Sequence, residues 1–272
     1  MTLSLPAGYP APMKVLFLGN SNDTGAWVGE EEKRHVAIGR MLSEEFAVPV
    51  EVAARNCWPN ERVAGYVAKC LDEVQPDLVF LNITTFPFSY ESTPLRVKRL
   101  LGRVGEPLGD AGFRLAESKR WAHNAVFRTL RRWAQATVGG DTHFTPAEAA
   151  ERYSEVIRVL LRREGTVVAV KGPLARGKKW TRRQRERQEK RRQEVHQALK
   201  RLCEQLHVPY YGSDQPYWAL KPKPKGTTAG DGAHANATGH RLLAEEHFQF
   251  LRDAWARHLD ETAGRAETPA AS

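Results

Sequence analysis

The sequence predicts an α/β fold in which a five-stranded parallel sheet is covered by helices on both faces. Five short apolar runs are bounded by turn residues, as buried strands are. The segments between these runs repeat apolar residues at helical spacing, so strand and helix alternate along the chain. A chain of 272 residues, 41% of them hydrophobic, can also bury the core that such a sheet requires.

Each predicted strand is a run of mostly apolar residues. In chain order, the strands cover residues 14–19, 48–54, 76–83, 166–172 and 208–212. The helices between them show apolar residues three or four positions apart. Two later helices begin with capping boxes, "TPAE" from Thr145 and "TRRQ" from Thr181. Because helices connect successive strands, the strands are expected to run parallel.

The chain is predicted to form one domain over residues 1–261 with a short tail. Residues 84–144 are longer than a crossover connection needs and carry helical patches, so we predict a helical insertion after the third strand. Residues 262–272, "TAGRAETPAAS", lack large apolar side chains and are predicted to be disordered.

One segment accounts for most of the net charge of +9. Residues 176–192 contain ten Lys or Arg and two Glu, a net charge of +8. Residues 181–194 contain no large apolar side chain, so we predict a basic helix over residues 176–194 that projects into solvent. Such a helix either presents a solvated face or binds a polyanion through Arg176 to Arg192.

No motif indicates a cofactor or a metal ion. The chain has neither a phosphate-binding glycine loop nor the HExxH pattern, and Cys57, Cys70 and Cys203 form no CxxC pair. We expect no cofactor, no metal and reduced thiols. The N-terminus lacks a signal-peptide pattern, and no segment approaches about 18 uncharged apolar residues. A cytoplasmic protein without a membrane span is expected.

The candidate catalytic residues stand near the two ends of the chain. Ser21 lies in "NSND", directly after the first strand, and ligands of parallel sheets bind at the carboxyl ends of the strands. Asp231 and His234 lie three residues apart in "DGAHANATGHRLLA", just before an amphipathic helix. A histidine can take a hydroxyl proton near neutral pH when an acceptor holds its other ring nitrogen. We therefore predict Ser21 as the nucleophile, His234 as the base and Asp231 as the group that orients it.

The segments "FLGNSN" and "DGAHANATGHRLLA" resemble the first and last motif blocks of the SGNH (GDSL-type) hydrolase family. The resemblance covers residues 14–83 and 166–251 and leaves the insertion outside. It implies a flavodoxin-like three-layer α/β/α sandwich. It also implies ester hydrolysis through a covalent acyl-enzyme.

The middle blocks depart from the family pattern. Asn20 stands where the family usually has Asp, and "RNCWPNERV" contains no glycine before Gly65 to supply the backbone N–H of the second block. A backbone N–H of Cys57 or Trp58 would replace it.

The third block also diverges, since "LNITTFPF" lacks both its glycine and its Asn-Asp pair. We therefore name Ser21, Asn56 and Asn82 as the oxyanion candidates.

These residues lead to two functional hypotheses. The first is a serine hydrolase that cleaves a small acyl ester or an O-acetyl group, with Trp180, Tyr217 and Trp218 as candidate apolar walls. The second is a catalytically degenerate SGNH fold that binds nucleic acid or acidic partners through the basic helix. Both leave the oligomeric state open.

Overall fold

The structure is a computed structural model of the chain. It describes residues 12–20, 28–102, 126, 129, 133, 137, 139–174, 181–216, 219, 224–229 and 234–266.

A five-stranded parallel sheet forms the centre of the molecule, as predicted. Its strands pair in the order β2-β1-β3-β4-β5, and each pairing is parallel. The predicted flavodoxin-like architecture is confirmed, because this strand order is the flavodoxin order, in which β1 lies between β2 and β3 at the switch point. The strands are β1 (Met13–Gly19), β2 (Val50–Asn56), β3 (Leu78–Asn82), β4 (Val167–Lys171) and β5 (Tyr210–Tyr211).

Helices connect the strands and cover the sheet on both sides. They are α1 (Arg34–Phe46), α2 (Val63–Val74), α3 (Phe86–Ser89), α4 (Thr93–Leu101), α5 (Pro146–Leu161), α6 (Arg182–Gln205) and α7 (Ala237–Ala266). Both predicted capping boxes are present, at Thr145 before α5 and at Thr181 before α6. None of the helices in the described part of the chain combines the length and apolar character that a membrane crossing requires.

Alternate residues of the central strands point into two separate apolar cores. Leu16 and Leu18 of β1 face the core formed with α2, α5 and α6. Val15 and Phe17 face the core formed with α1 and α7. Buried strands in a three-layer sandwich show this two-sided burial. The central strands β1, β3 and β4 are consequently buried on both faces.

Two backbone segments near the ends of the predicted insertion pair with each other. The backbone groups of Ser92 and Asp141 form an antiparallel bridge with N···O distances of 2.8 and 3.1 Å. Gly140 is required there, because a Cβ at this position would lie 2.8 Å from the carbonyl carbon of Glu91. Helices α3 and α4 and the helical residues 126, 129, 133 and 137 belong to the insertion.

Two predictions need correction. The predicted disordered tail begins too early, because α7 continues to Ala266 and thus includes residues 262–266. Small and charged residues such as those of this segment are compatible with a helix that has already formed.

The predicted projection of the basic helix into solvent is wrong for residues 187–194. Arg187 and Arg191 of α6 both donate to the buried carboxylate of Glu91, at 2.9–3.1 Å. Arg192 is fully buried and donates to the carbonyls of Ser213 and Gln215, each at 2.9 Å. Charged groups therefore dock a helix that has no large apolar residue in this part.

Candidate active site at the carboxyl edge of the sheet

Two of the predicted site residues end strands at the carboxyl edge of the sheet, and a third, His234, precedes the last helix. Asn56 and Asn82 are the last residues of β2 and β3, and Asn20 follows the last residue of β1. His234 lies two residues before Asn236, which caps α7. Ser21 and Asp231 lie outside the described residues, as do the candidate walls Trp180, Tyr217 and Trp218.

The junction between β1 and β2 removes one oxyanion candidate. The N–H of Cys57 donates to the carbonyl of Gly19 at 2.6 Å, which continues the strand pairing by one residue. That N–H is therefore engaged and does not replace the missing glycine, contrary to our expectation. Burial also raises the pKa of the Cys57 thiol to about 12, so this group is no nucleophile.

Lys171 is a buried cation at this edge that the sequence analysis missed. Its Nζ donates to Oδ1 of Asn82 at 3.2 Å, across the register pair Asn82–Lys171 of β3 and β4. The Lys171 side chain lies on the sheet face of α1 and α7, since alternate residues Val167 and Ala169 belong to that core. A lysine that ends a buried strand is the sequence signal that would have revealed it.

The segment that carries His234 is a hairpin held in place by hydrogen bonds. Thr228 and Ala235 form an antiparallel bridge, and the N–H of Ala229 donates to the carbonyl of His234 at 2.8 Å. Asn236 then fixes the hairpin to α7, because its Oδ1 accepts the N–H of Gly239 at 3.0 Å. His234 is half-buried and thus lies at the surface of a defined turn.

The hairpin leaves no room for a side chain at Gly239. A Cβ there would lie 2.2 Å from the carbonyl oxygen of Thr227. The Nδ2 of Asn236 holds the same two segments together, because it donates to the carbonyl of Gly226 at 2.8 Å. The glycine of "NATGH" therefore serves close backbone packing against the hairpin.

His240, in the first turn of α7, bonds to the first residue of α1. Its Nδ1 accepts the backbone N–H of Arg34 at 3.1 Å. Burial, followed by the nearby Arg34 guanidinium, lowers the pKa of His240 to about 4. The ring is therefore neutral at pH 7, and because Nδ1 accepts, its proton is on Nε2.

An aromatic cluster borders the same edge and was also missed. Trp58 follows β2, and its ring centroid lies 6.0 Å from that of Phe86 and 5.2 Å from that of His143. Phe86 stacks on Tyr90 at 4.9 Å and is 46% exposed. Trp58 follows Cys57, which is bonded to Gly19, so the cluster (Trp58, Phe86, Tyr90 and His143) adjoins the end of β1.

A second His–Asp arrangement lies at β5, outside the predicted site. Nε2 of His196 is 3.0 Å from Oδ1 of Asp214, and its Nδ1 is 2.8 Å from the hydroxyl of Tyr210. Burial raises the pKa of Tyr210 above its ordinary value, so the phenol stays protonated. This arrangement joins β5 to α6 and offers no nucleophile.

The described residues contain no group of three or more His, Cys, Asp or Glu side chains that could hold a metal ion. Among the described residues, the edge presents a histidine, amide groups and the buried Lys171 side chain.

Comparisons with known proteins agree with this geometry. A family model of the GDSL-like lipase/acylhydrolase family matches residues 17–242. No curated protein sequence matches the chain significantly.

Solved structures share the fold at low sequence identity. TesA is 12% identical, with a TM-score of 0.54 over 89% of this chain and 99% of that chain. The esterase EstA from Pseudoalteromonas sp. is 9% identical, with a TM-score of 0.52 over 90% of this chain and 100% of that chain. Est24, a carbohydrate acetylesterase from Sinorhizobium meliloti, is 13% identical, with a TM-score of 0.50 over 88% and 97% of the two chains. The chain belongs to the GDSL-like lipase/acylhydrolase family and is an ester-hydrolysing enzyme.

Proposed function

We propose that the chain hydrolyses its ester through a Ser21–His234–Asp231 triad and a covalent acyl-enzyme. Ser21 Oγ attacks the ester carbonyl carbon while His234 takes the hydroxyl proton. The C–O bond to the alcohol then breaks, and His234 returns the proton to the leaving alkoxide. Water, deprotonated by His234, attacks the acyl group and releases the acid and free Ser21.

One observation carries this proposal. β1 ends at Gly19, two positions before Ser21, at the carboxyl edge of the parallel sheet. The start of α7, shortly after His234, is bonded to the start of α1, the helix that follows β1. β1 also lies at the switch point of the strand order, where ligands of open α/β sheets bind. Ser21 and His234 are more than 200 residues apart in sequence, so the contact between the helices that follow them supports a shared site.

The oxyanion donors of the proposal are the N–H of Ser21 and the amide of Asn82. Asn82 ends β3, next to β1, so its amide belongs to the strand that borders the switch point. Asn56 is exposed at the end of β2 and stays a weaker candidate. The N–H of Trp58 is proposed in place of the missing glycine, because the N–H of Cys57 is already used.

We further propose a small acyl ester or O-acetyl group as the substrate. Est24, a carbohydrate acetylesterase, has the same fold. The aromatic cluster beside the end of β1 supports a substrate with an apolar part, since such rings bind apolar groups by contact. The cytoplasmic location stays a prediction from the N-terminal sequence.

A fluorophosphonate probe tests the triad. The wild-type chain should be labelled on Ser21, and Ser21→Ala should abolish labelling. His234→Gln and Asp231→Asn should slow labelling and ester turnover by about a thousandfold or more. Labelling that persists in Ser21→Ala, or a wild-type chain that never reacts, would contradict the proposed nucleophile.

The polyanion-binding hypothesis stays a prediction, and fewer Lys and Arg side chains support it than the sequence indicated. Arg187, Arg191 and Arg192 form internal ion pairs. Within residues 181–192, only Arg183, Arg185 and Lys190 have no ion pair in the described part of the chain. A salt titration of RNA binding by a variant with these three residues changed to Gln would test it.

A further inference from the structure

The two segments that carry the proposed triad lead into packed helices whose first turns are joined by a hydrogen bond. Ser21 lies in the segment that precedes α1, and His234 lies in the hairpin that precedes α7. The Nδ1 of His240 accepts the N–H of Arg34, the first residue of α1, at 3.1 Å. The bond thus joins the starts of the two helices.

We propose that His240 is a positioning residue for the reaction, which sets how the segment with Ser21 meets the hairpin with His234. This inference rests on the proposed function.

The hydrogen bond between His240 and Arg34 is buried, which makes it hard to replace. His240 is 2% exposed and Arg34 is 3% exposed. The first N–H groups of a helix have no partner within their own helix, so the α1 N-terminus needs an outside acceptor. With the pair buried, water cannot replace the ring nitrogen, and loss of the acceptor would leave a buried N–H without a partner.

Backbone hydrogen bonds also hold His240 to the hairpin. The N–H of His240 donates to the carbonyl of Asn236 at 2.8 Å, and the N–H of Asn236 donates to the carbonyl of Thr227 at 3.2 Å. His234 lies close enough for its charge to affect the ring of His240. A displacement at His240 is therefore transmitted to the backbone that holds His234.

The ring must stay neutral for the bond to exist, because a proton on Nδ1 would face the N–H of Arg34. The charged groups that face the ring are Arg34 and His35 of α1, Glu32 before α1 and His234 of the hairpin. Three of these four groups carry or can carry a positive charge, and they keep the ring neutral together with its burial.

Three variants separate a positioning role from a merely structural one. His240→Asn keeps an acceptor near the place of Nδ1, His240→Gln places it near Nε2, and His240→Phe has none. We expect His240→Asn to retain at least a third of the wild-type kcat. We expect His240→Gln and His240→Phe to lose about ten- to a hundredfold in kcat with KM changed less than threefold, because a misplacement of about 1 Å costs that much.

Thr145→Ala is the matched control. It removes a helix N-terminal acceptor of the same kind, at 3.2 Å from the N–H of Glu148, but joins no catalytic segments. Because this acceptor is exposed and water can replace it, Thr145→Ala should lower stability less than loss of the buried His240 acceptor, and it should leave kcat within twofold of the wild type. Equal kcat in all three His240 variants would overturn the inference.

The rate of fluorophosphonate labelling separates this inference from the proposed function. If the wild-type chain is not labelled on Ser21, the proposed function fails. If the wild type is labelled and His240→Gln labels at the same rate, the triad stands and the positioning role of His240 is wrong. If His240→Phe does not fold, the comparison of the Asn and Gln variants still decides.

Discussion

The ammonium group of Lys171 donates to the side-chain oxygen of Asn82 over 3.2 Å, where β4 and β3 end side by side. Both side chains are nearly inaccessible, with 5% and 6% exposed. Because a lysine only donates hydrogen bonds, the pair directs Oδ1 of Asn82 toward β4. The Nδ2 group of the amide then lies on the side away from the Lys171 ammonium group, where it can donate a hydrogen bond.

Lys171→Met should therefore reduce kcat. Without the ammonium group, the Asn82 amide loses one of the partners that orient it, and the loss of one oxyanion donor costs about a hundred- to a thousandfold in rate. We expect a loss of at least tenfold in kcat and little change in KM. Lys200→Met, which removes an exposed ion pair with Asp214, is the control and should keep wild-type kcat. Wild-type rates in Lys171→Met would exclude Asn82 as an oriented donor.

Glu91→Gln should loosen α6 from the body of the protein. The Glu91 carboxylate accepts from Arg187 and Arg191, and Gln in its place removes the negative charge of both ion pairs and keeps only one oxygen to accept. The free energy of unfolding should fall by about 2 kcal/mol, measured by urea denaturation. Glu245→Gln, which removes an exposed pair with Arg241, should cost no more than about 0.5 kcal/mol. Equal effects of the two changes would contradict the docking role of Glu91.

Two glycine-to-alanine changes should change the free energy of unfolding in opposite directions. At Gly239 a Cβ would meet the carbonyl of Thr227 at 2.2 Å, so Gly239→Ala should displace the hairpin of His234 and reduce both stability and activity. Gly65 lies in α2, where a Cβ would meet no atom within 4 Å. Gly65→Ala should raise the free energy of unfolding by about 0.5–1 kcal/mol and leave activity unchanged. Thermal unfolding and ester turnover measure both effects.

Acid should destabilise the folded chain before its carboxylates titrate. The pKa of His240 is about 4 in the folded chain against an ordinary 6.5, so between these values the unfolded chain binds a proton that the folded chain does not. His240 therefore makes its full contribution to the free energy of unfolding above pH 6.5. This contribution falls by about 3 kcal/mol as the pH drops toward 4. Burial lowers the pKa of His35, His143 and His196 in the same direction.

Urea midpoints at pH 7 and pH 4.5 measure this effect. His240→Asn removes the titrating group and should reduce the loss between the two pH values. An identical loss in His240→Asn would show that the ring of His240 is not the group responsible.

Phe86→Ala should change substrate preference. Phe86 is exposed and contacts Trp58 at the edge of the proposed site, so its ring can receive an apolar part of the substrate. With a series of p-nitrophenyl esters, the ratio of kcat/KM for butyryl to that for acetyl should change several-fold in Phe86→Ala relative to the wild type. Phe248→Ala, in α7 on the opposite core, is the control. The same acyl-length dependence in Phe86→Ala and the wild type would exclude Phe86 as an acyl wall.

Much of the fold could be predicted from periodicity. The runs at 14–19 and 76–83 lie within one or two residues of β1 (Met13–Gly19) and β3 (Leu78–Asn82), because buried strands need continuous apolar residues. The start of the helix after His234 also followed from the pattern, whereas the role of His234 stays a prediction. The oxyanion candidates were less predictable, as the engaged N–H of Cys57 depends on the pairing of β1 with β2.

The sequence by itself determined the parallel sheet, the alternation of strands and helices, and the choice of Ser21, Asp231 and His234 as candidates, since these depend on local pattern and spacing. Only the tertiary structure decided that α6 is docked, that Lys171 meets Asn82 and that His240 meets Arg34. Those contacts join residues about 90 to 200 positions apart in sequence through single charged or polar groups, which leave no periodic trace. Apolar burial is repeated along the chain, whereas a polar contact depends on two particular side chains that meet only after folding.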